Sequence, residues 1–303
     1  MPEGDSCNRA DFRDLITRPL PAPQHIAMLH IRHTPSPPLL DFVEDLWLYD
    51  GYAPTHSRER ILPSGTLELV INLREDELRI YGAAQPERCR RFPGALVSGA
   101  YGGFFVSDGA EEASIMGVHF RPAGAFPFLG LPAGELVDTH VDLEMLWGRA
   151  AAVELRERLC AAPAPAERFR LLEKALASRL LRPPKHHYAV PAALDAFGRT
   201  HARAAVRDVA RRVGLSERRF IQVFKAETGL TPKLFCRVLR FQRAREMAQR
   251  DASPDWARVA SECGYFDQSH MIRDFRAFSG LTPEEYLRRR SEPVLHNHVL
   301  QTG

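Results

Sequence analysis

Two short stretches of this sequence carry long hydrogen-bonding side chains at helical spacing. In "SERRFIQVFKAETG", Arg218, Ile221, Gln222 and Lys225 fall on one side of a helix and Phe220, Val223 and Phe224 on the other. In "DQSHMIRDFRAFSG", Ser269, Ile272, Arg273 and Arg276 share a side, opposite Met271, Phe275 and Phe278. Arg can bond guanine O6 and N7 together, and Gln can do the same to adenine N6 and N7. The chemistry this allows is the reading of base edges by a helix of about 10–12 residues, which fits a major groove. The competing reading is a plain helical bundle with a solvated polar face. Charge suits the first without deciding it: Val190 to Gly303 holds 20 Lys+Arg and 13 Asp+Glu, net +7, while the rest of the chain is net −4. A solvated arginine-rich surface would show the same; two copies of the pattern in this basic third favour the first.

Other reactive residue types give weaker patterns. Of 12 histidines, His119 in "GVHFRPAG" sits on an alternating strand, and as a metal ligand it would need His56 and His140. A packed structural histidine is the better reading. His186-His187 and His296/His298 read as solvated loop residues. Cys89 lies among Arg88, Arg90 and Arg91, a setting that can favour the thiolate. By strand parity, Glu68 and Arg121 could line a pocket for a small polar ligand. No HExxH, GxSxG or phosphate loop occurs, so no catalytic residue, metal or cofactor is assigned. Five cysteines without CxxC spacing fit a reducing cytoplasm, and no apolar run approaches the roughly 18 residues of a membrane span.

The elements that must position the polar faces are repeated. "VRDVARRVGLSERRFIQVFKAETGLTP" aligns with "WARVASECGYFDQSHMIRDFRAFSGLTP", so that Val209-Ala210 meets Val259-Ala260, Gly214 meets Gly264, and both copies end in GLTP. Each reads as short helix, glycine turn, second helix, with Val206, Val209, Ala210 and Val213 buried in the first copy. Ser216 and Asp267 are expected N-caps. Thr231-Pro232 and Thr282-Pro283 each start a further helix, and Glu285 completes a capping box with Thr282. Between the copies, Pro232 to Arg250 reads as one rod of about 28 Å, with Leu234, Phe235, Val238, Leu239 and Met247 inward. Reading helices on such a rod could reach major grooves one turn, about 34 Å, apart.

The N-terminal part is β-rich. Strands are expected near Met28-Arg32, at Leu78-Tyr81, Ala95-Gly99, Gly103-Ser107 and Ser114-Phe120, with a hairpin around Pro63-Ser64-Gly65. "LLDFVEDLWLYDG" is either a short helix or a strand. "LEMLWGRAAAVELRERLCAA" and "APAERFRLLEKALASRLL" each read as one amphipathic helix. "RPPKHHYAVP" reads as a linker, and everything after it as helix. The fold class is therefore α+β. An N-terminal domain, 1–181, is β-rich to about 121, as a barrel-like or antiparallel sheet, and helical over 134–181. A linker, 182–191, leads to an all-α domain, 192–290, and a tail, 291–303.

The C-terminal repeat resembles the AraC/XylS family of bacterial transcription regulators, over roughly residues 190–290. The resemblance implies two helix-turn-helix units entering successive major grooves of double-stranded DNA. Base contacts would then fall on Arg218, Ile221 and Gln222, with Arg219 nearer the backbone, and on Gln268, Ser269, Ile272 and Arg273. Ile221 and Ile272 depart from the polar residues common there, and can touch a thymine methyl or make no contact. The segments "LPSGTLELVINL", "GVHFRPAGAFPFLGLPAGELVD" and "VDLEMLWG" are similar to a poorly characterised domain that precedes some AraC-type domains. Family logic implies a sensing or dimerising module, with a small-molecule effector, RNA polymerase and a second copy of the chain as further partners. A non-enzymatic regulator is the expectation. The alternative is an enzyme or binding module addressed to DNA by its C-terminal domain.

Overall fold

The computed structural model describes residues 29–51, 58–108, 114–180, 186–251, 253–289 and 298–300. Its N-terminal region is built on two antiparallel sheets and does not close into a barrel. The strands are β1 (Leu29–His33), β2 (Val43–Asp50), β3 (Arg58–Ile61), β4 (Glu68–Asn72), β5 (Glu77–Gly82), β6 (Gln85–Pro93), β7 (Ala95–Ser98), β8 (Phe105–Asp108) and β9 (Ser114–Phe120). After helix α1 (Phe126–Leu129) and a 3-10 turn at Ala133–Leu136 comes β10 (His140–Asp142). Helices α2 (Leu143–Trp147), α3 (Arg149–Ala161) and α4 (Pro165–Ala177) complete the region. The first sheet runs β1-β2-β9-β4-β7-β10. The second is β3-β8-β5-β6, joined at its β3 edge by β11 (His298–Leu300) from the far end of the chain.

Alternation decides which face of the first sheet goes where. Leu46, Leu48, Leu69, Ile71, Val97, Met116 and Val118 are fully buried and belong to the main core with α1–α4. Trp47, Val70 and Leu96 point the other way, toward the second sheet.

The C-terminal region contains α5 (Ala189–Arg199), α6 (Val206–Arg212), α7 (Glu217–Thr228), α8 (Pro232–Gln249), α9 (Trp256–Glu262), α10 (Gln268–Ser279) and α11 (Pro283–Arg289). The rod α8 is 18 residues long, or about 27 Å. Its Phe235 and Val238 are buried, while Leu234, Leu239 and Met247 are half-buried. Val209 and Ala210 of α6 are buried and Val206 and Val213 only partly so.

Several expectations need correction. Pro63-Ser64-Gly65 is not a hairpin: β3 pairs with β8 and β11, β4 with β7 and β9, so residues 62–67 cross between sheets. The segment "LLDFVEDLWLYDG" is a 3-10 turn followed by the strand β2. The single helix expected from Leu143 breaks at Gly148, whose φ of 81° lies outside the helical range. Strand β6 has no counterpart among the expected strands, because its run of arginines and glutamate hides any alternation. The tail is not all helix, since 298–300 add a strand to the second sheet. The start of α5 at Ala189 falls within the stretch read as linker. His56 and His296 lie outside the described residues.

Candidate functional site

The two helix-turn-helix units are built alike. Each has a seven-residue helix, a glycine turn and a twelve-residue helix. Gly214 and Gly264 adopt φ of 70° and 81° at the turns. The Ser216 hydroxyl accepts from the Arg219 amide at 3.3 Å, and Asp267 from the His270 amide at 2.6 Å. Thr231 caps α8, and Thr282 and Glu285 form a reciprocal capping box at α11. Phe220 and Phe224 in α7, and Met271, Phe275 and Phe278 in α10, are sealed in the core. Arg218, Arg219, Gln222 and Lys225 are exposed on α7, as are Gln268, Ser269, Arg273 and Arg276 on α10; Ile221 and Ile272 are half-buried between them.

Both units are fixed to the rod. Arg237 of α8 donates to buried Asp274 of α10 at 2.7 Å. Arg240 of α8 donates to the Ala202 carbonyl at 3.1 Å, next to α5. Arg203, in the loop before α6, donates to the carbonyls of Ser261 and Glu262 at the end of α9. Arg203 and Arg240 thus bond main-chain carbonyls, and Arg237 a buried carboxylate.

Sequence reasoning missed Phe266. It is 93% exposed, in the turn just before the Asp267 cap of α10. An aromatic residue between a buried Tyr265 and a capping Asp was the signal. His186 is not a solvated loop residue: it is half-buried and donates to Glu227 of α7 at 2.9 Å, while Glu227 also accepts the His187 amide.

The N-terminal region holds a second candidate site. Asp45, His119, Glu68, Ser98 and His140 are direct cross-strand neighbours on five successive strands of the first sheet. They form a polar row on the face toward the second sheet. His119 donates to Asp45 at 2.8 Å and to Glu68 at 3.0 Å, and Asp45 also pairs with Arg32. Burial alone would lower the His119 pKa, but the Glu68 charge and both carboxylate hydrogen bonds outweigh it and raise the value to about 9. His140 is buried among Phe92, Tyr101 and Phe105, with Tyr101 and Ser98 as hydrogen-bonding partners. Burial, helped by the Arg90 charge, pushes its pKa down to about 3, so it is uncharged.

Between the sheets lies a narrow cavity of about 50 Å³, lined equally from both. Glu68, Ser98, His140, Trp47, Val70, Leu96 and Ile115 come from the first sheet, and Ile61, Leu78, Arg79, Ile80, Phe105, Ser107 and Asp108 from the second. Glu68 is thus at the cavity. Arg121 is not among its lining residues; it is exposed and donates to the Leu40 carbonyl. His119 meets two carboxylates, and among the described residues no group of three could hold a metal ion. Cys89 lies opposite Tyr81 on the β5–β6 ladder. Among the described residues no helix is long and apolar enough to cross a membrane.

A family model described as a helix-turn-helix domain matches residues 209–289, and one described as a domain of unknown function (DUF6597) matches residues 31–142. No curated protein matches the chain. Among solved structures, ToxT from Vibrio cholerae strain SCE256, with an unsaturated fatty acid bound, is 7% identical, with 80% of this chain and 94% of that one covered at a TM-score of 0.47. A transcriptional regulator with an AraC-type DNA-binding domain from Chromobacterium violaceum is 26% identical over 35% of this chain and 94% of its own, at a TM-score of 0.30. A probable AraC family transcriptional regulator from Rhodopseudomonas palustris CGA009 is 24% identical over 34% and 96%, also at 0.30.

Proposed function

We propose that the protein is a sequence-specific, DNA-binding transcription regulator of the AraC type, whose helix-turn-helix domain sets α7 and α10 into successive major grooves. The observation that carries this reading is the matched exposure of the two helix faces. Eight of the ten candidate side chains, Arg218, Arg219, Gln222, Lys225, Gln268, Ser269, Arg273 and Arg276, are exposed while the opposite faces are sealed. Two such helices on one rod need not read a palindrome, since both come from one chain.

Roles follow from side-chain chemistry. Arg218, Gln222, Gln268 and Arg273 read base edges, with Ser269 as a shorter donor or acceptor. Ile221 and Ile272 offer methyl contacts to thymine. Arg219, Lys225 and Arg276 bind phosphates, and Phe266 packs on deoxyribose beside the second unit. The N-terminal domain, 1–181, senses a small molecule or a partner and biases the DNA-competent arrangement. The linker is 182–191, the DNA-binding domain 192–290 and the tail 291–303. A second copy of the chain and RNA polymerase are candidate further partners, and the protein works in the cytoplasm.

Selection from random double-stranded oligonucleotides with the full chain tests this. The expected product is two motifs at a fixed spacing of about one helical turn. A ratio of specific to nonspecific affinity near one at fixed salt would sink it.

A further inference from the structure

We propose that the cleft between the two sheets binds a small, uncharged, hydroxyl-bearing molecule with an apolar body, and that its occupant sets the separation of the two reading units. This rests on reading the C-terminal part as a two-unit DNA reader.

The ligand class follows from the lining. Trp47 is 3% exposed, and its buried indole N–H finds no acceptor among the described residues. An orphaned buried donor is a standing penalty that an incoming acceptor relieves. On the same wall Glu68 accepts from His119 and, as a carboxylate, has lone pairs for a further donor. A hydroxyl supplies both partners, accepting from Trp47 and donating to Glu68 or Ser98. A carboxylate would face Glu68 on one wall and Asp108 on the other, and Arg79, the cation in the lining, already pairs with Glu77 and Asp108. An ammonium would satisfy the carboxylates and leave Trp47 unpaired. Val70, Leu96, Ile80 and Phe105 supply the apolar surround.

The coupling follows from which sheet holds which unit. At the first unit, the left-handed Gly229 that ends α7 abuts the segment after β7: a Cβ there would lie 2.8 Å from the Ala100 side chain. The turn at 133–136 packs on α7, with Gly134 against the Lys225 carbonyl and Ala226, and is tied to the first sheet through the Gly99 and Asp138 amides. At the second unit, the equivalent Gly280 abuts Arg60 of β3 and Phe104 beside β8, both on the second sheet. Arg60 donates to the Ser279 carbonyl at 2.7 Å, and β11, which follows α11, pairs with β3. Two of the crossovers between the sheets lie against the rod, Gly65 on Phe235 and Val238, and Gly102 on Leu234. One sheet therefore carries each unit, with the cavity between them. At about 50 Å³ the cavity has room for a few waters, far below the roughly 300–1,000 Å³ of ordinary ligand sites. A ligand of more than a few atoms must part the sheets, and so shift the two units relative to each other against the ties that join them, the Arg203 bonds to Ser261 and Glu262 and the hold of α8 on both.

The test uses the full chain. 2-Phenylethanol, 2-phenylethylamine and phenylacetate share a skeleton and differ in head group. Titrated while tryptophan emission is followed, 2-phenylethanol is expected to give a saturable change that Trp47→Phe removes, and to bind roughly tenfold tighter than either charged analogue. Absence of saturation, or equal binding of the three, overturns the ligand assignment. For the coupling, binding is measured on DNA whose two half-sites are moved apart one base pair at a time. Val70→Phe fills the cavity from the first sheet and is expected to shift the preferred spacing by at least one base pair. An unchanged profile from a variant that melts like the parent overturns the coupling. Should Val70→Phe fail to fold, Arg60→Ala cuts the hold on Ser279 without touching the cavity. It is expected to reduce the discrimination between spacings about fivefold, and a parental profile from it overturns the coupling equally. A parent chain that selects no DNA site removes the underlying reading instead, and the ligand titration still stands on its own result.

Discussion

The two helix-turn-helix units are near copies inside and unlike outside. Within each, a buried aromatic cluster fixes two helices: Phe224 meets Phe197, Phe220 and Phe235 in the first, and Phe275 meets Phe241, Trp256 and Tyr286 in the second. Outside, the first is bound by main-chain packing of residues 133–136 and by the His186–Glu227 pair, the second by the Arg60 guanidinium, the Phe104 ring and a strand of the tail. Internal packing makes the second helix of each unit; the external contacts decide where it is held. Substitutions in the two classes should have different signatures, and that is how the comparison can be broken.

The largest effect is expected in the shared interior. Phe224→Ala and Phe275→Ala each remove a fully buried ring, and each should cost about 3–5 kcal/mol in urea unfolding. Similar losses at both positions support equivalent cores. A loss below about 1 kcal/mol at either would mean that unit is free to collapse around the gap and is not built like its partner.

Next comes the support of the first unit. The first sheet contains both strongly shifted histidines, and they make opposite demands. His119 is charged in the fold, with its pKa raised to about 9. Its contribution is complete below the unfolded value near 6.5 and is lost as pH rises toward about 9. His140 is uncharged in the fold, with its pKa lowered to about 3, while the unfolded chain takes up a proton below about 6.5. Its contribution is lost as pH falls through that interval, and the lowered Asp45 carboxyl adds to the acid loss. Melting temperature should therefore peak near neutral pH. His119→Gln should flatten the alkaline limb, by on the order of 3 kcal/mol at its full extent, and His140→Gln the acid one. A limb unchanged by its own substitution removes that histidine from the account.

The same contrast separates features that neighbouring residues encode from features that only distant residues define together. The C-terminal units are legible in the sequence down to their caps, because each helix carries its own local signals: Ser216, Asp267, Thr231, Thr282 with Glu285, and a closing glycine. Strand β9 is legible as a short apolar run between glycines, and the structure buries both of its faces. The pairing of strands is not. A Pro-Ser-Gly turn between two β runs looks the same whether the runs pair or diverge, and here β3 and β4 enter different sheets. Strand β6 is rich in arginine, and β11 is three residues joined to a partner over two hundred positions away; no local pattern marks either. Strand parity alone points to Glu68. The polar row it belongs to depends on register across five strands, which residues far apart in sequence define together.

A smaller effect separates two kinds of DNA contact. Arg273→Ala should relax sequence preference at one position, by about 1–3 kcal/mol between matched and mismatched sites. Arg219→Ala should weaken all sites alike and lower the salt dependence of binding by about one phosphate contact. Equal behaviour of the two variants on matched and scrambled DNA would refute the division of roles.

The smallest effect bears on the entry to each reading helix. Ser216 caps α7 with a neutral hydroxyl at 3.3 Å, and Asp267 caps α10 with a carboxylate at 2.6 Å. Both satisfy an amide that the first turn leaves without a partner. Only the carboxylate also meets the positive end of the helix dipole. Asp267→Ala should therefore cost about 1–2 kcal/mol, and Ser216→Ala about 0.5–1 kcal/mol. Asp267→Asn keeps the hydrogen bond and discards the charge, so it should fall between Asp267→Ala and the parent, and approach the parent as salt is raised. If Asp267→Asn is as damaging as Asp267→Ala, charge and not hydrogen bonding fixes the second entry. If Ser216→Ala is the costlier of the two alanine substitutions, the shorter contact at Asp267 is not what holds α10 in register beneath the exposed Phe266.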